Sequence, residues 1–323
     1  MPTKDETFRM DFVIEVEDFD EANGKFAVKL IPNPERYELK EMGGEKGYYD
    51  KFDNTFISLK VLEKATTRME GLPIYYSPPK VVDTLEYIGK RTPIIREHFE
   101  KEGEKYQFVD SSEEFLSSLE TPEKDFVILS IDLVGSTAMS QTLEDADYSK
   151  LISLFSKEVT LLVHLFRGYV LKNIGDGLVA YFPGPNFVGM NDNALDCAAS
   201  MRSLILRGIN PVLKERDLPE FNFRIGLDSG DASIITIGAD QIKQHKDLIG
   251  QTLNIACKIQ SKAEKNQILI GESTAKNVHT FWRELLEKKE IPDWKYVDKK
   301  TGNVYPLYLL KEPKQEKLNP LKG

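Results

Sequence analysis

Two carboxylates are set apart by their surroundings. Asp132 directly follows the apolar run 126–131, within Ser130-Ile131-Asp132-Leu133-Val134-Gly135-Ser136-Thr137, so it ends a strand that opens through a turn toward a helix. Asp176 lies in Lys172-Asn173-Ile174-Gly175-Asp176-Gly177, an acid bracketed by glycines between two apolar runs. Glycine at such a hairpin permits positive φ and close backbone approach. If that hairpin pairs beside the first strand, both acids meet at one sheet edge. Two Mg²⁺ ions need such oxygen ligands while keeping positions for water and phosphate. A metal pair about 4 Å apart stabilises the attacking and leaving oxygens of an in-line phosphoryl displacement. Taken singly, Asp176 reads as well as a turn former and Asp132 as an ordinary strand end. Their joint placement favours chemistry.

The elements that must position this pair follow from hydrophobic periodicity. Strands are expected over 126–131, 168–174, 178–183, 221–227, 232–238 and 267–272. Amphipathic helices are expected over 146–166, 191–216 and 252–264, where apolar residues recur at three and four spacing. Strand, helix, strand hairpin, helix, strand hairpin, helix, strand is the order of an α+β, ferredoxin-like, antiparallel-rich sheet with helices on one face. A final strand pair is expected around Thr301-Gly302-Asn303 as a C-terminal extension. The charged stretch 101–125 separates two parts of different character, giving an N-terminal α+β region over 1–120 and a second domain over 121–323. In the first region Asn23-Gly24 marks a β-hairpin, and no chemical motif is present.

The bulk composition narrows the function classes. A net charge of -9 argues against a phosphate-tracking nucleic-acid surface. It also means that a polyanionic nucleotide would need local neutralisation by metals or a few placed cations. No apolar stretch approaches the roughly 20 residues that span a bilayer, and the start carries no apolar signal core, so a cytoplasmic protein without a membrane partner is expected. Cys197 and Cys257 both fall in apolar helical patterns and are expected in the core. His98, His164, His245 and His279 show no paired ligand spacing.

Residues 126–280 resemble the catalytic domain of class III adenylyl and guanylyl cyclases, through FVILSIDLVGST, VLKNIGDGLVAYF, FRIGLDSGDA and KDLIGQTLNIACKIQ in that order. The resemblance implies a class III cyclase fold and a phosphorus–oxygen lyase. Such an enzyme closes a nucleoside triphosphate to its 3′,5′-cyclic monophosphate, with two Mg²⁺ or Mn²⁺ per site. It places the metals on Asp132, Ile131 and Asp176, and the triphosphate on the backbone of Val134, Gly135, Ser136 and Thr137 at a helix start. Lys172 and Asp247 take the positions that read the adenine edge, and Asn254 the one that orients the ribose. Lys258 stands where most active members carry an arginine against the transferring phosphate, and lysine lacks arginine's planar fork. Spacing of four puts Asn254 and Lys258 on one helix face. Read without the family, Lys172 is a solvated edge residue, Asp247 and Asn254 are helix caps, and Lys258 lies on a wet face.

The resemblance further implies a homodimer, each site combining the two acids of one chain with Lys172, Asp247, Asn254 and Lys258 of the other. It makes the N-terminal region regulatory and ATP the substrate. Two alternatives stay open: a pyrimidine cyclase acting on UTP or CTP, as in anti-phage signalling systems, and a catalytically silent nucleotide-binding homologue that acts as a sensor. A diguanylate cyclase is disfavoured, since neither GGDEF nor GGEEF occurs.

Overall fold

The protein is described by a computed structural model covering residues 10–20, 25–67, 81, 83–100, 112–119, 123–183, 187–239, 243–298 and 301–312. Two compact units are present, one formed by Met1–Ser77 with His279–Glu284, the other by Pro78–Val278 with Leu285–Gly323. The division falls at Ser77 rather than near residue 120.

In the first unit β1 (Phe12–Asp20) pairs antiparallel with β2 (Lys25–Pro32). The Asn23-Gly24 turn lies outside the described residues. A second sheet runs β3 (Tyr37–Met42), β4 (Glu45–Asp50), β5 (Thr55–Ser58), followed by helix α1 (Leu59–Thr67). Its interior charges are paired: Arg36 binds Asp50 and Asp53 at 2.9 and 3.0 Å, and Arg283 binds Asp53 at 2.7 Å. Pairing of this kind is what makes buried charge tolerable.

The second unit begins with α2 (Thr84–Glu100) and α3 (Ser112–Ser118). Then come β6 (Glu123–Leu133), α4 (Ser136–Thr142), α5 (Asp145–Leu165), β7 (Tyr169–Ile174) and β8 (Gly177–Phe182). Helix α6 (Phe187–Leu204) runs through a π turn over Ile205–Ile209 into α7 (Asn210–Lys214). The chain ends with β9 (Phe223–Ala239), β10 (Lys243–Ile249), α8 (Gln251–Lys262), β11 (Gln267–Gly271), α9 (Glu272–Asn277), β12 (Leu286–Lys289) and β13 (Leu307–Leu310). Helix α2 belongs here because Arg91 makes two hydrogen bonds to the buried Glu158 of α5.

These strands form one sheet in the order β12-β13-β11-β9-β6-β8-β7, with β10 paired to β9. The central β9-β6-β8-β7 block is antiparallel and has ferredoxin-like order, while β11 joins β9 in parallel. Strand β6 is buried on both faces. Phe126 and Ile128 pack with Leu116 of α3, Ala256 of α8, Val179 and Tyr181. Val127, Leu129 and Ile131 point the opposite way, as alternation demands, and are equally buried. Helices on a single face would leave one of these rows in water, so that expectation is corrected.

Two further expectations are corrected. The expected strands over 221–227 and 232–238 do not form a hairpin but fall in one continuous strand, Phe223–Ala239, because Ser229, Gly230 and Asp231 stay extended opposite Val127, Phe126 and Asp125. The hairpin partner is β10 instead. The C-terminal strand pair is reduced to an isolated bridge between Val297 and Val304, and the regular strand there, β13, pairs with β11 and β12. Beneath it Trp294, Tyr305 and Leu307 form a second core with Ile255 and Ile259 of α8.

Candidate active site

Asp132 stands one residue before the end of β6, and Asp176 at the tip of the β7–β8 hairpin, beside it in the sheet. Gly175 has φ +61, the left-handed turn that glycine adopts freely. Gly177 is required by space: a Cβ there would stand 2.4 Å from the Ile131 carbonyl oxygen and 3.3 Å from Asp132 Oδ1. The glycines therefore let the hairpin close onto Ile131 and Asp132, which brings the two acids within electrostatic reach. Burial and then the negative charge of Asp176 raise the Asp132 carboxyl above its ordinary 3.8, while Arg224 pulls it back. Arg224 lies opposite Asp132 on β9 and binds its Oδ2 at 2.9 Å.

Asp176 Oδ2 is buried and has no hydrogen-bond partner among the described residues. An orphaned, ionisable acceptor beside a second carboxylate and a main-chain carbonyl fits a hard divalent cation, which takes oxygen ligands. Among the described residues no third acidic, histidine or cysteine side chain completes a cluster. A cation held by Asp132, Asp176 and the Ile131 carbonyl would draw its other ligands from water or phosphate, as Mg²⁺ commonly does.

The segment after Asp132 turns at Gly135, φ +86, into α4, whose start has no side-chain cap. The Val134 amide is already committed, donating to the Asn222 carbonyl at 2.7 Å. Of the four residues expected to cradle phosphate, Gly135, Ser136 and Thr137 occupy the uncapped first turn, where helix amides point outward.

Lys172 on β7 and Asp247 on β10, 75 residues apart, are joined at 2.6 Å between Nζ and Oδ2. Asp247 is buried, and its Oδ1 accepts the Leu248 amide at 2.8 Å, which fixes the carboxylate plane. Asp247 is thus a strand residue and does not cap α8. Asn254 and Lys258 lie one turn apart on the exposed face of α8. The same helix packs on the sheet at Gly226, where a Cβ would meet Gln260 N at 2.2 Å. Cys257 is half-buried and Cys197 buried, both free thiols. Burial raises the Cys257 thiol, against a hydrogen bond from Ser130 and the nearby Lys172 charge.

Arg224 and Gln260 went unmarked in the sequence. Gln260 is buried on α8 and Arg224 half-buried on β9, and the register of β6 against β9 is what reveals that Arg224 faces an acid.

Residues 120–302, over half of the chain, match the model of the adenylate and guanylate cyclase catalytic domain, and the chain belongs to that family of class III nucleotide cyclases. Within it, the chain is 26% identical over 155 residues to a putative adenylate cyclase 3 of Rhizobium meliloti (strain 1021), covering 47% of this chain and 23% of that protein. It is 29% identical over 192 residues to a cytidylate cyclase of Staphylococcus aureus, covering 56% and 44%. The chain therefore spans under half the length of these curated relatives. The adenylyl cyclase CyaB from P. aeruginosa shares the fold, with a TM-score of 0.53 at 19% identity, over 61% of this chain and 98% of that one. Among the described residues no helix is long and apolar enough to cross a membrane.

Proposed function

We propose that the chain closes a nucleoside triphosphate to its 3′,5′-cyclic monophosphate and releases pyrophosphate, and that it selects bases presenting an amino group beside an unprotonated ring nitrogen, ATP foremost. The observation that carries the choice of base is the Lys172–Asp247 pair at 2.6 Å. Lysine is donor-only and ionised aspartate acceptor-only. Adenine presents an amino donor at N6 beside the N1 acceptor, which matches Asp247 and Lys172. Cytosine presents the same order, N4 amino beside N3. Guanine and uracil reverse it, with a carbonyl oxygen beside a ring N–H. A wrong base would leave the buried carboxylate facing an acceptor, at a cost of about 1–3 kcal/mol or more.

In the reaction the ribose 3′ oxygen bonds to the α-phosphorus, the bond from that phosphorus to the pyrophosphate oxygen breaks, and the hydroxyl proton is lost to solvent. Asp132, Asp176 and the Ile131 carbonyl would hold Mg²⁺ or Mn²⁺, which when bound neutralises phosphate charge and makes the 3′ hydroxyl more acidic. The first-turn amides of Gly135, Ser136 and Thr137 bind phosphate oxygens. Asn254 orients the ribose, and Lys258 supplies positive charge to the transferring phosphate. A homodimer would bring these α8 residues opposite the acids of a second copy. Ile174 and Ile249, 54% and 46% exposed and each two residues from a site residue, supply apolar surface for it.

The second reading is a cytidylate cyclase. The Lys172–Asp247 order suits cytosine as well as adenine, and the Staphylococcus aureus relative carries that name. The same order disfavours UTP.

Competition among the four triphosphates in Mg²⁺ or Mn²⁺, with products resolved by mass spectrometry, tests the proposal. ATP or CTP should be consumed at least about tenfold faster than GTP and UTP, and Lys172→Met should remove that preference. Preferred turnover of GTP or UTP would overturn the base assignment. Nucleotide binding with no pyrophosphate release would make the chain a silent homologue.

A further inference from the structure

Lys172 and Asp247 stand 2.6 Å apart, yet they belong to strands that do not pair with each other. Among the described residues β7 pairs with β8 at one margin of the sheet, and β10 pairs with β9 over Ser233–Ala239, so no backbone ladder sets the distance between the two side chains. Two other features do. The first is a register shift in β7 between Val170 and Lys172. Alternation along an unbroken strand would put Lys172 on the face opposite Tyr169. The extra residue, Leu171, instead brings Lys172 opposite Val179, two residues from the Tyr181 that stands opposite Tyr169, and so onto the same face as Tyr169. Val179 and Tyr181 share a core with Leu116 of α3 and Leu248 of β10, and Leu171 packs against it.

The second feature is α3, the short helix ahead of β6. Phe115 stacks on Tyr169 of β7, with ring centres 4.5 Å apart and planes 20° apart, and Tyr169 in turn stacks on Tyr181 at 5.4 Å. The next residue, Leu116, is 2% exposed and packs in the core that holds Leu248, the neighbour of Asp247. The helix is itself pinned, because the Tyr181 hydroxyl donates to the Ser112 carbonyl at 3.2 Å and lies 3.1 Å from Ser112 Oγ. Consecutive residues of one helix thus grip the two strands that carry the pair.

We infer that α3 is a specificity-determining element, in which Phe115 and Leu116 are positioning residues that hold β7 and β10 at the separation where Lys172 meets Asp247 before any nucleotide arrives. The inference rests on the reading above, in which that pair recognises the base. A pair prepared in this way discriminates at binding, since neither side chain has to be ordered by the incoming base. Loosening the grip lets the two strands separate. The loss then falls on adenine, which uses both groups, while guanine, mismatched to both, loses little.

The test is calorimetric titration of the full chain in Mn²⁺ with 3′-deoxy-ATP and 3′-deoxy-GTP, which lack the attacking hydroxyl and so report binding alone. The intact chain should prefer 3′-deoxy-ATP by about tenfold or more. Phe115→Leu and Leu116→Val, which stay apolar, should each weaken 3′-deoxy-ATP by about threefold or more and leave 3′-deoxy-GTP nearly unchanged. Phe115→Tyr, which keeps the stack, should retain the full preference. Lys172→Met serves as the reference for lost preference, and circular dichroism shows that each variant is folded. Should one of the two apolar variants fail to fold, the other decides by the same criterion. Unchanged preference in Phe115→Leu and Leu116→Val, with preference lost in Lys172→Met, overturns the clamp and leaves the base reading standing. Equal weakening of both analogues does the same, since it marks a structural role alone. Binding of neither analogue by the intact chain, a preference for 3′-deoxy-GTP, or an undiminished preference in Lys172→Met would overturn the reading on which the clamp depends.

Discussion

Asp228→Asn should remove a loss of stability that the cyclase unit otherwise suffers as pH rises from about 4 to 7. Asp228 is buried in the middle of β9, and burial pushes its carboxyl up from the ordinary 3.8 to about 7. The Tyr305 hydroxyl donates to it at 2.9 and 3.1 Å and in turn accepts the Ser273 amide at 2.7 Å, so the tyrosine proton is directed at the carboxyl. Tyr305 itself is held far from ionisation by burial and by that same carboxyl. The sign follows from proton counting. Between pH 4 and pH 7 the folded state holds a proton on Asp228 that the unfolded chain has released, so the contribution of Asp228 to stability is full below about pH 4 and is lost as pH rises to about 7. A displacement from 3.8 to about 7 corresponds to a loss on the order of 4 kcal/mol over that window. Asparagine keeps an acceptor for Tyr305 and cannot ionise. Urea unfolding at pH 5, 6, 7 and 8, reported by Trp294 in a Trp282→Phe background, reads the effect locally, because Trp294 Nε1 donates to the Tyr305 carbonyl at 2.8 Å. The stability of Asp228→Asn relative to its parent should climb across this range by roughly 2.5 kcal/mol. A constant difference between the two proteins would show that Asp228 is ionised throughout and refute the reasoning.

Of the remaining predictions, Lys258→Arg should raise turnover severalfold without changing the order of base preference, because the planar fork adds a second hydrogen bond to a phosphate oxygen at an exposed helix position. Steady-state rates with ATP and CTP check it, and a loss of rate would mean that lysine is the residue this site requires. The base preference itself should follow the Lys172–Asp247 pair, as set out above.

Local sequence carried the parts of the fold whose signals are local. The glycine-bracketed Asp176 hairpin, the strand ending at Asp132 and helices α5 and α8 are all where periodicity and turn chemistry place them. The failures have a common cause, which is tertiary pairing overriding composition. Asp228-Ser229-Gly230-Asp231 has the make-up of a turn, yet pairing with the start of β6 keeps it extended, and the acid is absorbed by Tyr305 from the far end of the chain. Strand β10 is hidden because among the described residues it pairs with β9 alone and is polar, with Lys243, Gln244, His245 and Lys246 leading into Asp247. Within the site, the four-residue spacing of Asn254 and Lys258 was legible on any helix. The contact of Lys172 with Asp247 was not, since it depends on where two distant strands end. Arg224 was invisible for the same reason: nothing in Phe223-Arg224-Ile225-Gly226 says that the arginine will stand opposite Asp132.

The central claim is that Asp132 and Asp176 together form the catalytic cation pair. It is tested most directly by pyrophosphate release from ATP and CTP in Mn²⁺ for the intact chain, Asp132→Ala and Asp176→Ala, each verified as folded. Cation-dependent release by the intact chain, and a fall of at least about a thousandfold in both variants, is the predicted result. Substantial pyrophosphate release in either alanine variant would contradict the account.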